Sequence, residues 1–133
     1  MEISDYLHHL STQSLKRGSV IFKEGEESDG TMYFVTEGEV SIFIKSQDTQ
    51  LKVNTIKPGK FFGEIALLKN LPRTAAAIVT SPSARIARLD RTVFMQLARV
   101  NPEFLFAFVR LILDRLIIAE HTVKKLSSKA KRD

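Results

Sequence analysis

The first 90 residues of the chain alternate between short runs of β-forming residues and turns rich in glycine, proline and polar side chains. The six clearest runs cover residues 20–22, 31–35, 40–44, 51–55, 75–79 and 84–89. About eight strands at this length and spacing are typical of antiparallel barrels and jelly rolls. The pattern therefore predicts a mainly β fold with flanking helices. The β part is expected to be an eight-stranded antiparallel β-roll (jelly roll, double-stranded β-helix) over residues 14–90.

Turn signals mark where the chain reverses within this region. Residues 36–39 read Thr-Glu-Gly-Glu, a β-hairpin signal between two strands. The Pro-Gly pair at 58–59 has the order that a type II turn favours. The Ser-Pro-Ser turn at 81–83 leads into the run at 84–89, which we expect to be an edge strand. Before the β region, residues 4–10 predict a short N-terminal helix.

From Asp90 the apolar spacing changes from the period of a strand to that of a helix. Asp90 is a good N-cap for a helix over 91–100. The Asn-Pro pair at 101–102 is a strong start signal for a second helix, because proline is favoured at the first helical position. This second helix is expected to cover 102–127, a length of roughly 39 Å, and to be followed by a basic tail at 128–133.

The second of these helices carries an uninterrupted heptad seam. Its apolar positions are spaced alternately four and three residues apart and are Leu105, Val109, Ile112, Leu116, Ala119, Val123 and Leu126. A spacing of this kind over three heptads is typical of two helices packed side by side. We therefore expect a parallel homodimer through the helix 102–127 seam. The alternative is a single amphipathic helix folded onto its own domain.

The composition describes one ordinary globular domain over residues 1–133. Apolar residues make up 44% of the chain and charged residues 26%, which is typical of a domain with its own hydrophobic core. No apolar run approaches the roughly 18 residues that a membrane helix needs. The first five residues are acidic and polar, unlike a secretory signal. We therefore expect a cytoplasmic protein without a membrane partner.

The net charge of +5 is concentrated at one end of the chain. Residues 121–133 hold five lysines or arginines against one aspartate, so they carry +4 of this charge. A lysine-rich end is most often simply solvated, and a weak contact with a polyanion is the alternative. Seven residues follow Leu126, too few for a helix-turn-helix, so we expect no DNA-binding domain in this chain.

Residue types that carry catalysis or metal binding are sparse. Cysteine is absent, which excludes disulfides, thiol catalysis and thiolate metal sites. The histidines are His8, His9 and His121. Neighbours on a helix point about 100° apart, so the first two are poor joint ligands of a metal. No acid–base pair or activated nucleophile is evident. We therefore expect no enzyme, no metal site and no cofactor.

Residues 61–76 combine the groups that hold a small anionic ligand. Gly63 permits a bend or a close approach that a β-carbon would prevent. A one-turn helix starting at Glu64 would direct free N–H groups and a positive dipole end at one point, where an anion is favoured. Arg73 follows Pro72 and supplies a planar guanidinium that matches a phosphate. Glu64 would repel phosphate, so we expect it to face hydroxyl groups of the ligand.

This segment, FGEIAL…PRTA, resembles the phosphate-binding cassette of the cyclic nucleotide-binding domains of catabolite-activator-like regulators, kinase regulatory subunits and gated channels. The two charged residues and their spacing are both kept. The segments VIFKEG and MYFVTEG also resemble the leading strands of this family, so the resemblance extends from about Leu15 to Leu126. It implies a cyclic nucleotide receptor module.

The resemblance also implies roles for individual residues. Arg73 would pair with the cyclic phosphate, and Glu64 would accept from the ribose 2′-hydroxyl. The backbone N–H groups of Ala66 and Thr74 would complete the anion site, and Gly63 would permit close approach. The full set of expected ligand-binding residues is Phe62, Gly63, Glu64, Ile65, Ala66, Arg73, Thr74, Ala75, Val53 and Arg115.

The base is expected to lie between an apolar strand surface and the last helix. Candidates for the strand surface are Val35, Val53 and Ile56. Candidates for a contact from the helix are Arg115 and, as alternatives, Arg110 and Thr122. We expect cAMP as the ligand, while cGMP stays open because the Thr74 hydroxyl is able to bond a syn guanine.

Ligand binding is expected to act on the helices. The movable unit would start at Arg91, hinge at 100–102 and be drawn toward the cassette by the ligand. A ligand shifts such an equilibrium only by its difference in affinity for the two states. The competing hypothesis is a structural dimerisation domain with a degenerate site that no longer binds nucleotide.

Overall fold

The computed structural model describes residues 4–7 and 9–132. The described helices are α1 (Ser4–Leu7), α2 (Glu64–Leu68), α3 (Arg91–Val100) and α4 (Pro102–Arg132). The described strands are β1 (Thr12–Lys16), β2 (Val20–Phe22), β3 (Met32–Glu37), β4 (Val40–Ser46), β5 (Thr49–Ile56), β6 (Phe61–Phe62), β7 (Ala76–Val79) and β8 (Ser83–Leu89).

The eight described strands form two four-stranded antiparallel sheets. The strand order is β1-β8-β3-β6 in one sheet and β2-β7-β4-β5 in the other. Of the neighbouring strands, β4 and β5 alone follow each other in sequence, so the chain passes repeatedly between the two sheets. This topology confirms the predicted antiparallel β-roll with a short N-terminal helix and C-terminal helices.

Strand β8 lies inside its sheet, so its prediction as an edge strand is wrong. It pairs with β3 on one side, where Ala87 faces Phe34, and with β1 on the other, where Ala84 faces Leu15. The sequence signal of β1 is weak because Leu15 is its single large apolar residue. Pairing with β8 nevertheless makes it a strand and starts the β-roll at Thr12 rather than at residue 14.

Two hydrophobic clusters meet at strand β6. Because successive side chains of a strand point to opposite faces, Phe61 and Phe62 enter different clusters. Phe62 stacks on Tyr33 in the cluster formed by both sheets, with ring centroids 5.3 Å apart. Phe61 packs against Phe108 of α4, also at 5.3 Å. Strand β6 therefore anchors the start of the 61–76 segment to the sheets and to the helices at once.

The C-terminal helices begin where the sequence predicts. The carboxylate of Asp90 accepts from the backbone N–H three residues further on, at 2.8 Å, and caps α3. Helix α4 starts at Pro102 but continues to Arg132, past its predicted end and into the predicted basic tail at 128–133. The added residues contain no glycine or proline. Residue 133 lies outside the described residues.

The N-terminal helix is shorter than the predicted span of 4–10. Helix α1 ends at Leu7, whose carbonyl accepts from the N–H of Leu10 at 3.0 Å in a turn. His8 lies outside the described residues. Within residues 4–7 and 9–132, no helix has the length and apolar character needed to cross a membrane. The same residues contain no group of three or more His, Asp or Glu side chains placed to hold a metal ion.

Candidate functional site

A cavity of about 310 Å³ brings the expected ligand-binding residues together. All ten lie on its wall, namely Val53, Phe62, Gly63, Glu64, Ile65, Ala66, Arg73, Thr74, Ala75 and Arg115. They come from β5, β6, the turn into α2, α2 itself, the segment before β7, and α4. The volume falls at the lower end of the range of small-molecule sites, about 300–1,000 Å³. The roles of these residues in binding stay a prediction.

Gly63 turns the chain from β6 into α2 in a left-handed backbone conformation, with φ +78°. That conformation is costly for any residue with a β-carbon. A β-carbon at this position would also lie 3.0 Å from Nη1 of Arg73 and 3.4 Å from the ring of Phe22. The glycine is therefore required by the shape of the cassette itself, before a ligand is considered.

Arg73 is buried, with 6% of its surface exposed. Its Nη2 donates to the carbonyl oxygen of Thr31 at 2.9 Å and to the carboxylate of Asp29 at 3.4 Å. Its Nη1 donates to the carbonyl oxygen of Gly63 at 3.3 Å. The guanidinium carbon lies 4.2 Å from the centre of the Phe22 ring, a cation–π contact. These contacts fix the plane of the guanidinium at the cavity wall.

Two N–H groups of the Arg73 guanidinium make no hydrogen bond within the described residues. A guanidinium has five N–H groups, and the contacts to Thr31, Asp29 and Gly63 use three of them. One N–H on Nη1 and the N–H on Nε have no acceptor among the described residues. The main chain of Arg73 is held as well, because its N–H donates to the carbonyl of Glu26 at 2.9 Å. The two remaining donors are therefore preorganised.

Asp29 is the acidic partner of Arg73 and also binds Arg88, whose Nη2 lies 3.1 Å from its second oxygen. The backbone N–H of Thr31 donates to Asp29 at 3.1 Å. Partial burial acts to raise the pKa of Asp29, but the hydrogen bonds from Thr31 and the charges of Arg88 and Arg73 outweigh it. The pKa of Asp29 consequently lies below its ordinary value. Asp29 is therefore ionised near neutral pH, where it forms an ion pair with Arg73.

Arg115 of α4 contacts the cassette from the helix side. Its Nη1 donates to Oε1 of Glu64 at 3.0 Å, and its Nη2 donates to the carbonyl oxygen of Phe61. Its guanidinium carbon also lies 4.0 Å from the centre of the Phe61 ring. The side chains of Arg115 and Glu64 are 32% and 21% exposed. Partly solvated ion pairs typically contribute about 1 kcal/mol or less, so a ligand group is able to replace this one.

Arg91, the first residue of α3, contacts the C-terminal end of α2. Its Nε donates to the carbonyl oxygen of Leu67 at 3.2 Å. This carbonyl belongs to the last turn of α2, where backbone oxygens lack partners within the helix. No local pattern predicts this contact, because Arg91 and Leu67 are 24 positions apart and belong to different elements.

Three of the residues considered for contacts with the base, from the strand surface or from the last helix, lie elsewhere. Val35 is fully buried in the core formed by the two sheets and does not reach the cavity. Arg110 places its guanidinium carbon 5.6 Å from the ring centre of Phe106. The hydroxyl of Thr122 donates to the carbonyl oxygen one helical turn back, at 3.0 Å. Arg115 is therefore the candidate from α4 that lies on the cavity wall.

Five residues on the cavity wall fall outside the expected set: Phe22, Ile42, Asn54, Ile56 and Pro72. Ile56 is among the candidates for the base surface. Strand register offered a signal for two others, because Ile42 faces Asn54 across β4 and β5. Phe22 gave no separate signal, since its run of three apolar residues is typical of a core strand.

Comparison with known proteins places this geometry in a family. The family model for the cyclic nucleotide-binding domain matches residues 12–101. The cAMP-dependent protein kinase type II regulatory subunit of Drosophila melanogaster is 35% identical over 88 residues, which cover 66% of this chain and 23% of that protein.

Two solved structures have the same fold. The Thermus thermophilus catabolite activator protein superposes with a TM-score of 0.80 at 25% identity, over 94% of this chain and 58% of that one. The regulatory domain of Toxoplasma gondii PKA, solved with cAMP, gives 0.59 at 30% identity, over 66% of this chain and 34% of that one.

The chain spans less than two thirds of the length of each of these proteins. The family model nevertheless covers more than half of the chain, including β1 to β8, both ends of α2 and Arg73. The chain therefore belongs to the cyclic nucleotide-binding domain family.

Proposed function

We propose that this chain is a receptor module for cyclic nucleotides, with cAMP as the preferred ligand. The observation that carries the proposal is the placement of Arg73 and Glu64 on the wall of one cavity. Arg73 offers two uncommitted N–H groups, and Glu64 offers a carboxylate whose cationic partner is replaceable. A ligand with one anionic phosphate and a free sugar hydroxyl matches both groups, and a cyclic nucleotide has both.

The phosphate would bind at Arg73. A charge-assisted contact to a buried, oriented guanidinium is stronger than a contact between neutral groups. Family resemblance adds the backbone N–H groups of Ala66 and Thr74 to this site, and both residues lie on the cavity wall. The other arginine on the wall, Arg115, is already paired with Glu64. The cavity thus offers one anion site, which disfavours diphosphates and triphosphates.

The sugar would bind at Glu64. Its carboxylate accepts hydrogen bonds and is well suited to a ribose 2′-hydroxyl, but Arg115 now occupies one of its oxygens. A bound ribose therefore either shares Glu64 with Arg115 or displaces it. In both cases, sugar binding changes the environment of a residue on α4.

The base has room beside Arg115. A second cavity, of about 510 Å³, lies between β5 and α4 and shares four wall residues with the first, namely Val53, Asn54, Ile56 and Arg115. Ile118 and Ala119 of α4 line it on the helix side. We expect the base to enter this space. The kinase regulatory subunit of Drosophila is named for cAMP and the Toxoplasma domain was solved with it, which favours cAMP. Competition between cAMP and cGMP tests the preference.

Coupling to the helices would run through α2. Arg115 contacts its first residue, Glu64, and Arg91 contacts its last turn at Leu67. A ligand that engages Glu64 alters the first of these contacts directly. The expected consequence is a change in how α4 packs on the β-roll, with the chain hinging at 100–102.

The exposed seam of α4 supports a homodimer. Leu105, Val109, Leu116, Val123 and Leu126 are between 42% and 65% exposed, although apolar residues at heptad spacing normally face a partner helix. We expect two copies to pack in parallel along this seam. Sedimentation equilibrium tests this expectation, and a protein that stays monomeric at ~100 µM would contradict it.

The competing hypothesis of a degenerate site is disfavoured because Arg73, Glu64 and Gly63 are all present and line the cavity. A thermal shift assay separates the two hypotheses. Ligand at a concentration of ~100 times its dissociation constant should stabilise the fold by ~2.7 kcal/mol. A 5′-nucleotide such as 5′-AMP is the matched control. Unchanged melting temperatures with both cAMP and cGMP would favour the degenerate domain.

A further inference from the structure

Helix α4 presents different heptad positions to its own β-roll and to the outside. With Leu105, Ile112 and Ala119 as d positions and Val109 and Leu116 as a positions, the a and d seam is exposed or half-buried. The buried side chains Phe104 and Phe108 occupy c and g positions, and so does the half-buried pair Leu111 and Arg115. The g residues Phe108 and Arg115 therefore face the β-roll of the same chain, beside the seam, whereas the g residue Thr122 further along the helix is exposed.

Heptad geometry relates Arg115 to a residue of a second copy. In a parallel pair of helices, each g side chain lies beside the e side chain of the next heptad of its partner, five positions further on. For Arg115 that position is Glu120. Between residues 102 and 128, this is the one g-to-e pair in which both members are charged, and the charges are opposite. An antiparallel pair would set g against g and e against e, so Arg115 would not face Glu120.

We propose that Arg115 of one copy pairs with Glu120 of a second copy, so that each chain supplies an acidic group beside the nucleotide cavity of the other. This inference rests on the proposed function for its consequence on ligand binding, but the pairing itself requires no ligand. The partner that binds this face of α4 is a second copy of the chain. The heptad seam and the opposite charges of Arg115 and Glu120 both favour it.

Both side chains have capacity for this pair. The guanidinium of Arg115 uses two of its five N–H groups, one on Glu64 and one on Phe61. Glu120 is exposed and forms no ion pair or side-chain hydrogen bond with the described residues. Lys124 lies one turn further along the helix, yet the two make no ion pair within 4.0 Å in the described chain. A carboxylate from a second copy therefore adds to the contacts of Arg115 without breaking one.

The pairing places the guanidinium of Arg115 between two carboxylates, those of Glu64 and Glu120. Without ligand, Arg115 pairs with Glu64 of its own chain and with Glu120 of the second copy. When the ribose occupies Glu64, Glu120 becomes the one carboxylate partner of Arg115. Ligand would then tighten the dimer. Because coupling between two binding events is reciprocal, dimerisation would tighten ligand binding by the same factor.

The test is a double-mutant cycle on dimer affinity, measured by sedimentation equilibrium without nucleotide. The variants are Arg115→Gln, Glu120→Gln and the double substitution, with Glu103→Gln as the control because it lies at a b position of the same helix. Each dimer contains two symmetry-related pairs, so Glu120→Gln should weaken the dimer about fivefold. Glu120→Gln should have no further effect in the Arg115→Gln background. The control should match the unaltered chain.

Additive effects of the two substitutions, an unchanged dimer with Glu120→Gln, or a monomeric protein would each overturn the pairing. Titration with cAMP in the same samples separates this failure from failure of the proposed function. If the chain binds cAMP but the effects of the two substitutions on dimer affinity are additive, the pairing alone is refuted. If those effects are non-additive but the chain does not bind cAMP, the proposed function is refuted and the pairing stands.

Discussion

Glu64 and Arg115 are 51 positions apart in sequence and 3.0 Å apart in the structure. Glu64 is the first residue of α2, and Arg115 projects from the middle of the long helix α4. At the other end of α2, Arg91 of α3 holds the carbonyl of Leu67 at 3.2 Å. Both ends of the cassette helix are thus attached to the C-terminal helical unit, and these are the contacts through which we propose that ligand binding acts on α4.

Replacing Arg115 should loosen α4 from the cassette. Saturating cAMP should change backbone hydrogen exchange in residues 100–126 of the unaltered chain. In Arg115→Gln without ligand, exchange in that segment should already be faster and the response to cAMP smaller, since the contact to Glu64 is missing. Arg110→Gln is the matched control, because Arg110 contacts Phe106 rather than the cassette. Identical exchange in Arg115→Gln and the control would contradict this connection.

Gly63→Ala should destabilise the fold more than Gly25→Ala. Both glycines have positive φ angles, +78° and +82°, so an alanine at either site carries backbone strain of about 1 kcal/mol or more. A β-carbon at Gly25 meets nothing within 4 Å, whereas one at Gly63 lies 3.0 Å from Arg73. The clash should add about 1–3 kcal/mol. Urea unfolding measures the difference, and equal free energies of unfolding for the two variants would argue against a close-packed Arg73.

Arg73→Lys should weaken cAMP binding about 30-fold, equivalent to ~2 kcal/mol. The planar guanidinium of Arg73 contacts Thr31, Gly63 and Asp29 and leaves two N–H donors free. Lysine keeps the positive charge but lacks this planar group. Isothermal titration calorimetry measures the affinity, and Arg99→Lys on α3, outside the cavity, is the control. An affinity within twofold of that control would remove Arg73 from the phosphate site.

Asp29→Asn should lower stability near neutral pH and have no effect in acid. The pKa of Asp29 is lower in the folded chain than its ordinary value of 3.8. Ionised Asp29 therefore adds stability that is fully present above pH 3.8 and is lost as pH falls through the lower folded pKa. Thermal melts of both proteins from pH 3 to 7, in steps of about half a unit, test this. The melting temperatures should converge toward the acid end, and a constant gap would contradict an electrostatic role.

Local sequence signals predicted the parts of this fold that depend on local chemistry. Asp90 caps α3 as expected, Pro102 begins α4, and α2 starts at Glu64. In each case a cap, a proline or a glycine acts on residues within one helical turn. The residues of the cavity wall were predicted nearly as well, because most of them lie within residues 62–75.

Contacts between distant elements were less accessible from the sequence. Strand β1 has one large apolar residue and becomes a strand by pairing with β8, which is why β8 is not an edge. The partners of Arg73 at Asp29 and Thr31 are 44 and 42 positions away. No periodicity or motif marks such pairs. They follow from how the two sheets and the loop before β3 come together.

The proposed function depends most directly on a cyclic phosphate binding in the cavity that Arg73 and Glu64 share. Isothermal titration of the chain with cAMP, with 5′-AMP and 2′-deoxy-cAMP titrated in parallel, tests this binding. One cAMP should bind per chain, 5′-AMP should bind much more weakly, and the deoxy analogue should lose affinity in the unaltered chain but not in Glu64→Gln. Absence of binding heat with cAMP and with cGMP, from a folded protein, would contradict the account.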